Sequence, residues 1–167
     1  KPVWQLAGLP QPKPLLTTFT LSADFPEAMA RRAGQLDQAR SIKIKLTGEV
    51  ELDIERVRAI RSARADAWLG VDGNQGFAPD DLPTLIPALV EQRISLLEQP
   101  LPRGLEAALS GLDSPIPIAG DESILSLPDV TAAPGRFQVV NIKLDKAGGL
   151  TEALALRQVP HRMVVVG

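Results

Sequence analysis

Five short apolar runs in this sequence lead into ionisable residues, and their order points to proton transfer beside a cation. Lys43 and Lys45 close Ile42-Lys43-Ile44-Lys45, and Asp72 opens Asp72-Gly73-Asn74-Gln75 after Val71. Glu98 follows Leu97 ahead of Gln99-Pro100, Asp121 follows Ala119-Gly120, and Lys143 follows Asn141-Ile142. From Lys45 onward these residues recur at steps of 22 to 27 residues. Three carboxylates brought together at low dielectric repel one another unless a cation neutralises them. Oxygen donors without cysteine suit a hard ion, with Mg²⁺ the first expectation and Mn²⁺ a substitute. Lys45 and Lys143 would flank that ion. Lys43 shares a strand face with Lys45, and its like charge should favour the neutral amine a base needs. A substrate carboxylate on the ion would make its α-proton removable, because the ion stabilises the developing enediolate. One lysine can take that proton and the other return one to the opposite face, which is racemisation or epimerisation.

The elements that position these residues alternate in type. Strand-like runs fall at 15–22, 41–46, 67–71, 94–97, 116–119, 139–144 and 163–166. Helical patterns fall at 25–39, with Asp24 as N-cap, at 51–65, where Leu52, Ile54, Val57 and Ile60 have helical spacing, and at 80–92, interrupted by Pro87. Shorter helices fit 105–110, 127–132 and 150–156. Residues 1–14 carry four prolines and read as an extended lead-in. Repeating strand–helix units predict a parallel sheet, apolar on both strand faces. An open doubly wound sheet would hold its outer strand ends about 20 Å apart. A closed (β/α) barrel would gather them at one mouth, so the expected fold is α/β, a TIM-type barrel over 15–167.

The totals exclude several classes. The 167 residues are 44% hydrophobic and 23% charged, with a net charge of −2 and no cysteine. No basic face for nucleic acid is evident, and no apolar run approaches the roughly 18 residues of a membrane span. The absence of cysteine fits a reducing, cytoplasmic setting. A homo-oligomer is compatible with the sequence.

The motifs resemble the enolase superfamily, in particular its muconate-lactonizing subgroup. Lys-x-Lys, Val-Asp-Gly-Asn-Gln, Glu-Gln-Pro-Leu-Pro, Asp-Glu-Ser and Asn-Ile-Lys-Leu-Asp-Lys-x-Gly-Gly appear in family order, and residues 140–156 most resemble the L-Ala-D/L-Glu (dipeptide) epimerases. The resemblance implies Asp72, Glu98 and Asp121 as metal ligands, Lys45 and Lys143 as the acid/base pair, and Thr20 as a position facing a dipeptide or carboxylate substrate. Gly73 departs from the usual alanine. The family also has a capping domain and an eighth barrel strand, so the resemblance implies an incomplete barrel of about seven strands. Other reactions of the subgroup stay open: muconate cycloisomerisation, o-succinylbenzoate synthesis and N-acylamino-acid racemisation. An inactive remnant of such a barrel is the alternative of another class.

Simpler readings apply to the remaining polar residues. Lys146 reads as a solvated lysine and Gly148-Gly149 as a tight turn. His161, the one histidine, precedes the last strand at the end of a barrel away from chemistry. Trp4 and Trp68 read as packing residues.

Overall fold

Parallel strands need long crossovers, and here each pair of consecutive strands is joined by a segment able to return over one face of the sheet. The computed structural model describes residues 1–132, 135–159 and 163–166. Its strands are β1 (Phe19–Leu21), β2 (Ser41–Lys45), β3 (Trp68–Asp72), β4 (Leu96–Glu98), β5 (Ile118–Gly120), β6 (Val139–Ile142) and β7 (Met163–Val166). Its helices are α1 (Val3–Leu6), α2 (Pro26–Gln35), α3 (Val50–Ala63), α4 (Leu82–Glu91), α5 (Leu127–Ala132) and α6 (Leu150–Arg157). All paired strands are parallel, and their order in the sheet is their order in the chain. A doubly wound sheet reverses its strand order at a switch point. This one does not.

Several expected boundaries move for identifiable reasons. Leu15 and Leu16 are exposed and stay outside β1, which has only three residues. Residues 1–14 are not wholly extended, since α1 forms one turn that buries nothing. Asp24 is not the N-cap of α2; that position is Phe25, while the Asp24 carboxylate accepts from the Phe25 N–H at 2.8 Å and pairs with Arg32 at 3.0 Å. The connection between β4 and β5 contains a short 3₁₀ turn over Glu106–Leu109 in place of a helix. Helix α4 continues through Pro87, and a 3₁₀ turn over Pro79–Asp81 leads into it. His161 lies outside the described residues.

The two faces of the sheet differ, contrary to the expectation of strands apolar on both sides. One face carries Leu21, Ile42, Ile44, Leu69, Val71, Leu97, Ile118, Val140 and Ile142, all in the main core with residues of the helices. The other carries Lys43, Lys45, Asp72, Glu98 and Asn141, with a small apolar cluster of Leu96, Ala119 and Val139 beneath them. Trp68 lies on this second face and is 39% exposed. Its ring covers Gly70, where a Cβ would meet the indole at 2.7 Å. An apolar floor with an ionisable rim is what a site at strand ends requires.

At the end of the strands opposite the rim, two buried arginines tie helices to loops. The Arg61 guanidinium donates to the carbonyls of Gln92, Arg93, Arg64 and Ala67. Arg64 donates to the carbonyls of Leu36 and Ala39 and pairs with Asp66 at 3.0 Å. They satisfy carbonyls that helix C-termini leave without partners.

At the rim, the loops after β2 and β3 approach too closely for side chains. Gly48 has φ +92°, and a Cβ there would run into the carbonyl oxygen of Gly76. Gly48→Ala is therefore expected to destabilise the fold by about 2–4 kcal/mol, combining backbone strain with overpacking. Urea unfolding checks this: an unchanged midpoint would mean that these loops move apart at no cost.

Candidate active site

The site begins with register. Lys45 pairs with Asp72, Asp72 with Glu98, Glu98 with Ala119, and Ala119 with Val139. Lys45, Asp72 and Glu98 thus stand level, as the spacing predicts. Asp121 stands two residues beyond Ala119 and Lys143 four beyond Val139, so those two are not level with the first three. Even offsets keep all five on one face. Thr20 pairs with Lys43 in register, on the same face and exposed.

The carboxylates are deeply buried: Asp72 and Glu98 are each 1% exposed and Asp121 3%. Each has cationic partners. The Lys43 ammonium donates to both Glu98 oxygens, at 3.0 and 2.9 Å, and lies 3.1 Å from Asp72 Oδ2. Lys45 donates to Asp72 Oδ2 at 2.6 Å and to Asn74 Oδ1 at 2.9 Å. Lys143 pairs with Asp121 Oδ2, and Lys146 donates to Asp121 Oδ1 at 2.6 Å.

Two side chains reach past a neighbouring strand. Lys43 on β2 reaches Glu98 on β4, and the Asn141 amide on β6 donates to Glu98 Oε1 at 2.8 Å. Strands two apart in a flat sheet lie about 10 Å from each other, so these side chains converge above β3 and β5.

The electrostatics follow from that convergence. Burial, then the neighbouring Asp72 charge, push the Glu98 carboxyl above the ordinary glutamate value, although Lys43 and Asn141 oppose the shift. Burial also acts against the Asp121 carboxylate, but hydrogen bonds from Lys143 and Lys146 outweigh it and hold its pKa below the usual value. Burial opposes the charge on Lys143 too, yet the bond to Asp121 and the charges of Asp121 and Glu98 hold its pKa above that of a free lysine. Lys43 is likewise raised: Glu98 and Asp72 overcome its burial. Its charge is thus offset by two carboxylates and does not bear on Lys45 alone, as the sequence reading assumed.

Among the described residues, no group of three or more His, Cys, Asp or Glu side chains is gathered tightly enough to hold a metal ion as it stands. Ammonium groups lie between the carboxylates instead. The donor set still fits a hard cation. It consists of oxygens, it is buried, and burial with the neighbouring Asp72 charge disfavours the ionised Glu98 carboxylate, an effect that a cation there would oppose.

Three partners went unread in the sequence. Lys146, expected in solvent, is half-buried and paired with Asp121. Asn141 was visible only as a motif letter, and its Oδ1 is buried without a hydrogen-bond partner. Gln99, fully buried with φ +34°, ties two loops: its Oε1 accepts from the Asp121 and Ser123 N–H groups at 3.0 and 3.1 Å, and its Nε2 donates to Ser123 Oγ at 2.8 Å. A strained backbone held by such bonds is a feature of functional loops. Gly148 and Gly149 do form the expected turn, both with positive φ, where the Gly149 N–H donates to the Leu144 carbonyl.

Comparison with known proteins agrees with this geometry. The chain is 41% identical to L-Ala-D/L-Glu epimerase of Escherichia coli K12 over 151 residues, 90% of this chain and 47% of that protein. It is 39% identical to N-acetyl-D-glutamate racemase of a Pseudoalteromonas species, over 89% of this chain and 46% of that one. It superposes with a TM-score of 0.91 on the dipeptide epimerase of Cytophaga hutchinsonii complexed with Mg and D-Ala-L-Val, at 33% identity, covering 99% of this chain and 48% of that chain. The chain spans about half the length of the curated relatives it matches. No helix among the described residues is long and apolar enough to cross a membrane. Residues 27–163 match the family described as enolase C-terminal domain-like, and with the parallel sheet and its rim of lysines and carboxylates the chain belongs to that family.

Proposed function

We propose that this chain carries the proton-transfer site of a dipeptide epimerase that depends on Mg²⁺ and acts on L-Ala-D/L-Glu or a related acidic substrate. The observation that carries the proposal is the convergence of two lysines from β2 and β6 on a buried set of three carboxylates from the strands between them. Asp72, Glu98 and Asp121 would hold the metal. The metal would supply positive charge to the substrate carboxylate as the α-proton leaves.

The chain's own residues do the rest. Lys45 and Lys143 stand four strand steps apart, halfway round an eight-strand barrel, and so address opposite faces of a bound α-carbon. Their register supports barrel geometry. Lys143 lies four residues beyond the level of Lys45 over four strand steps, about one residue per step, the stagger of eight strands with shear 8. Lys43 bridges Asp72 and Glu98 and holds both carboxylates in place. The exposed Thr20, at the level of Lys43, would meet substrate.

The test is proton NMR of L-Ala-D-Glu, L-Ala-L-Glu and N-acetylglutamate in D₂O with the protein and Mg²⁺. Loss of the glutamate α-proton signal that stops on adding EDTA is the expected result. No exchange on any of the three substrates would remove the substrate assignment. Exchange that survives EDTA would remove the metal.

A further inference from the structure

We infer that Lys146 is a positioning residue for the site, fixing Asp121 by one carboxylate oxygen so that the other would be free to meet a metal; the inference rests on the metal reading above. Lys146 follows β6 in the turn ahead of α6, where its stem could have run into solvent. Instead its ammonium has three acceptors: Asp121 Oδ1 at 2.6 Å, the Asp121 carbonyl at 2.5 Å and the Asn141 carbonyl at 3.0 Å. Its side chain is only 12% exposed. An ammonium has three N–H donors, so each is used and none is left for substrate.

The consequence for Asp121 is geometric. Its carboxylate and its own backbone carbonyl meet at one nitrogen, which fixes the side-chain torsions relative to the strand end. With Oδ1 held from the β6 side, Oδ2 is the oxygen turned toward Lys143. The same turn reaches a second carboxylate, because Asn141, whose carbonyl accepts from Lys146, donates its amide to Glu98. Lys146 and Asn141 therefore align two of the three carboxylates from a single strand end. Such outer partners orient the groups that hold a metal, and their loss costs about 10- to 100-fold in affinity.

A cation next to an anionic site has a competing effect that makes the inference testable. If Lys146 contributed only its charge, removing it would relieve repulsion of an incoming cation and tighten binding. If it positions Asp121, removing it weakens binding. The experiment is calorimetric titration of Mg²⁺ into the unmodified protein, Lys146→Met and Lys146→Arg, with thermal melting of each. Methionine keeps the stem and loses the charge. Arginine keeps the charge, but its planar fork cannot place three donors at one point. Positioning predicts weaker Mg²⁺ binding in both variants, by about 10-fold or more. Unchanged or tighter binding in a cooperatively melting Lys146→Met, with Lys146→Arg equal to the unmodified protein, overturns it. If Lys146→Met does not fold, the arginine variant decides alone by the same criterion. If the unmodified protein binds no Mg²⁺, the metal reading fails and this inference with it; if it binds and the variants bind equally, only this inference fails.

Discussion

Replacing Lys143 by alanine is expected to abolish epimerisation while leaving α-proton exchange from one of the two epimers intact. Lys45 is bonded to Asp72 on β3, and Lys143 is paired with Asp121 just after β5, so the two amines approach from opposite flanks of the carboxylate set. Inversion needs one amine to remove the proton and the other to deliver one to the opposite face. With Lys143 absent, the epimer whose α-hydrogen faces Lys45 can still lose that hydrogen and regain deuterium on the same face. The other epimer has no base, and its exchange should fall by about 10²- to 10⁴-fold. Lys45→Ala should show the mirror pattern. The two variants assayed with L-Ala-L-Glu and L-Ala-D-Glu in D₂O therefore form a two-by-two test. If each variant loses exchange from both epimers equally, the lysines act as a unit and the division between faces is wrong. Normal epimerisation in either variant would remove that lysine from the chemistry altogether.

The raised pKa of Lys143 bears on this result. Asp121 and Glu98 stabilise its ammonium despite burial, so in the proposed mechanism Lys143 would start as the proton donor. To act as a base it must first lose its bond to Asp121. Any influence that draws Asp121 Oδ2 away from Lys143 favours the neutral amine, whereas the Lys146 bond to Oδ1 holds Asp121 with Oδ2 toward Lys143.

How far these features were legible in the sequence depends on the range of the interaction that makes them. The strand–helix alternation and the five rim residues could be read because each is a local pattern repeated at each unit. The register of the rim residues was only half legible. Spacing along the chain counts loop residues with strand residues, so it could not show that Asp121 and Lys143 stand beyond the level of Asp72. Lys146 was misread because a lysine in a turn is ordinarily solvated, and its acceptors on Asp121 and Asn141 depend on how β5 and β6 pair. Helix α3 gives the sharpest case. Its apolar residues predicted the buried stripe, and Ile54, Val57 and Ile60 lie in it. So do Asp53, Arg56 and Arg61, whose partners at Asp24, Thr47, Gln92 and Arg93 come from other segments. Periodicity of hydrophobic residues has no term for a charge buried by distant partners.

Asp53→Ala is accordingly expected to be the most damaging substitution away from the rim, costing about 3–5 kcal/mol. Asp53 is fully buried. Its carboxylate accepts from the Thr47 N–H at 3.0 Å, the Gly48 N–H at 2.9 Å and the Arg56 guanidinium at 2.7 Å. Arg56 in turn donates to the Asp24 carbonyl and to Thr47 Oγ1. The pair thus joins the loops after β1 and β2 to the start of α3. Alanine would leave a guanidinium buried with its carboxylate partner gone and two backbone N–H groups without acceptors. Removing both partners together, as Asp53→Leu with Arg56→Met, should be milder than Asp53→Ala, because no buried charge is then left unpaired. The exposed Arg58–Glu91 pair, 3.6 Å apart, is the internal control and should change stability by less than about 1 kcal/mol when broken. Urea denaturation of the three variants separates the cases. If Asp53→Ala unfolds at the same midpoint as the surface control, the buried network contributes nothing to the fold. A large loss with recovery in the double variant would locate the cost in the orphaned charge. Because the loop at Thr47 begins two residues after Lys45, a weakened Asp53 network should also lower the exchange attributed to Lys45 before it affects that of Lys143.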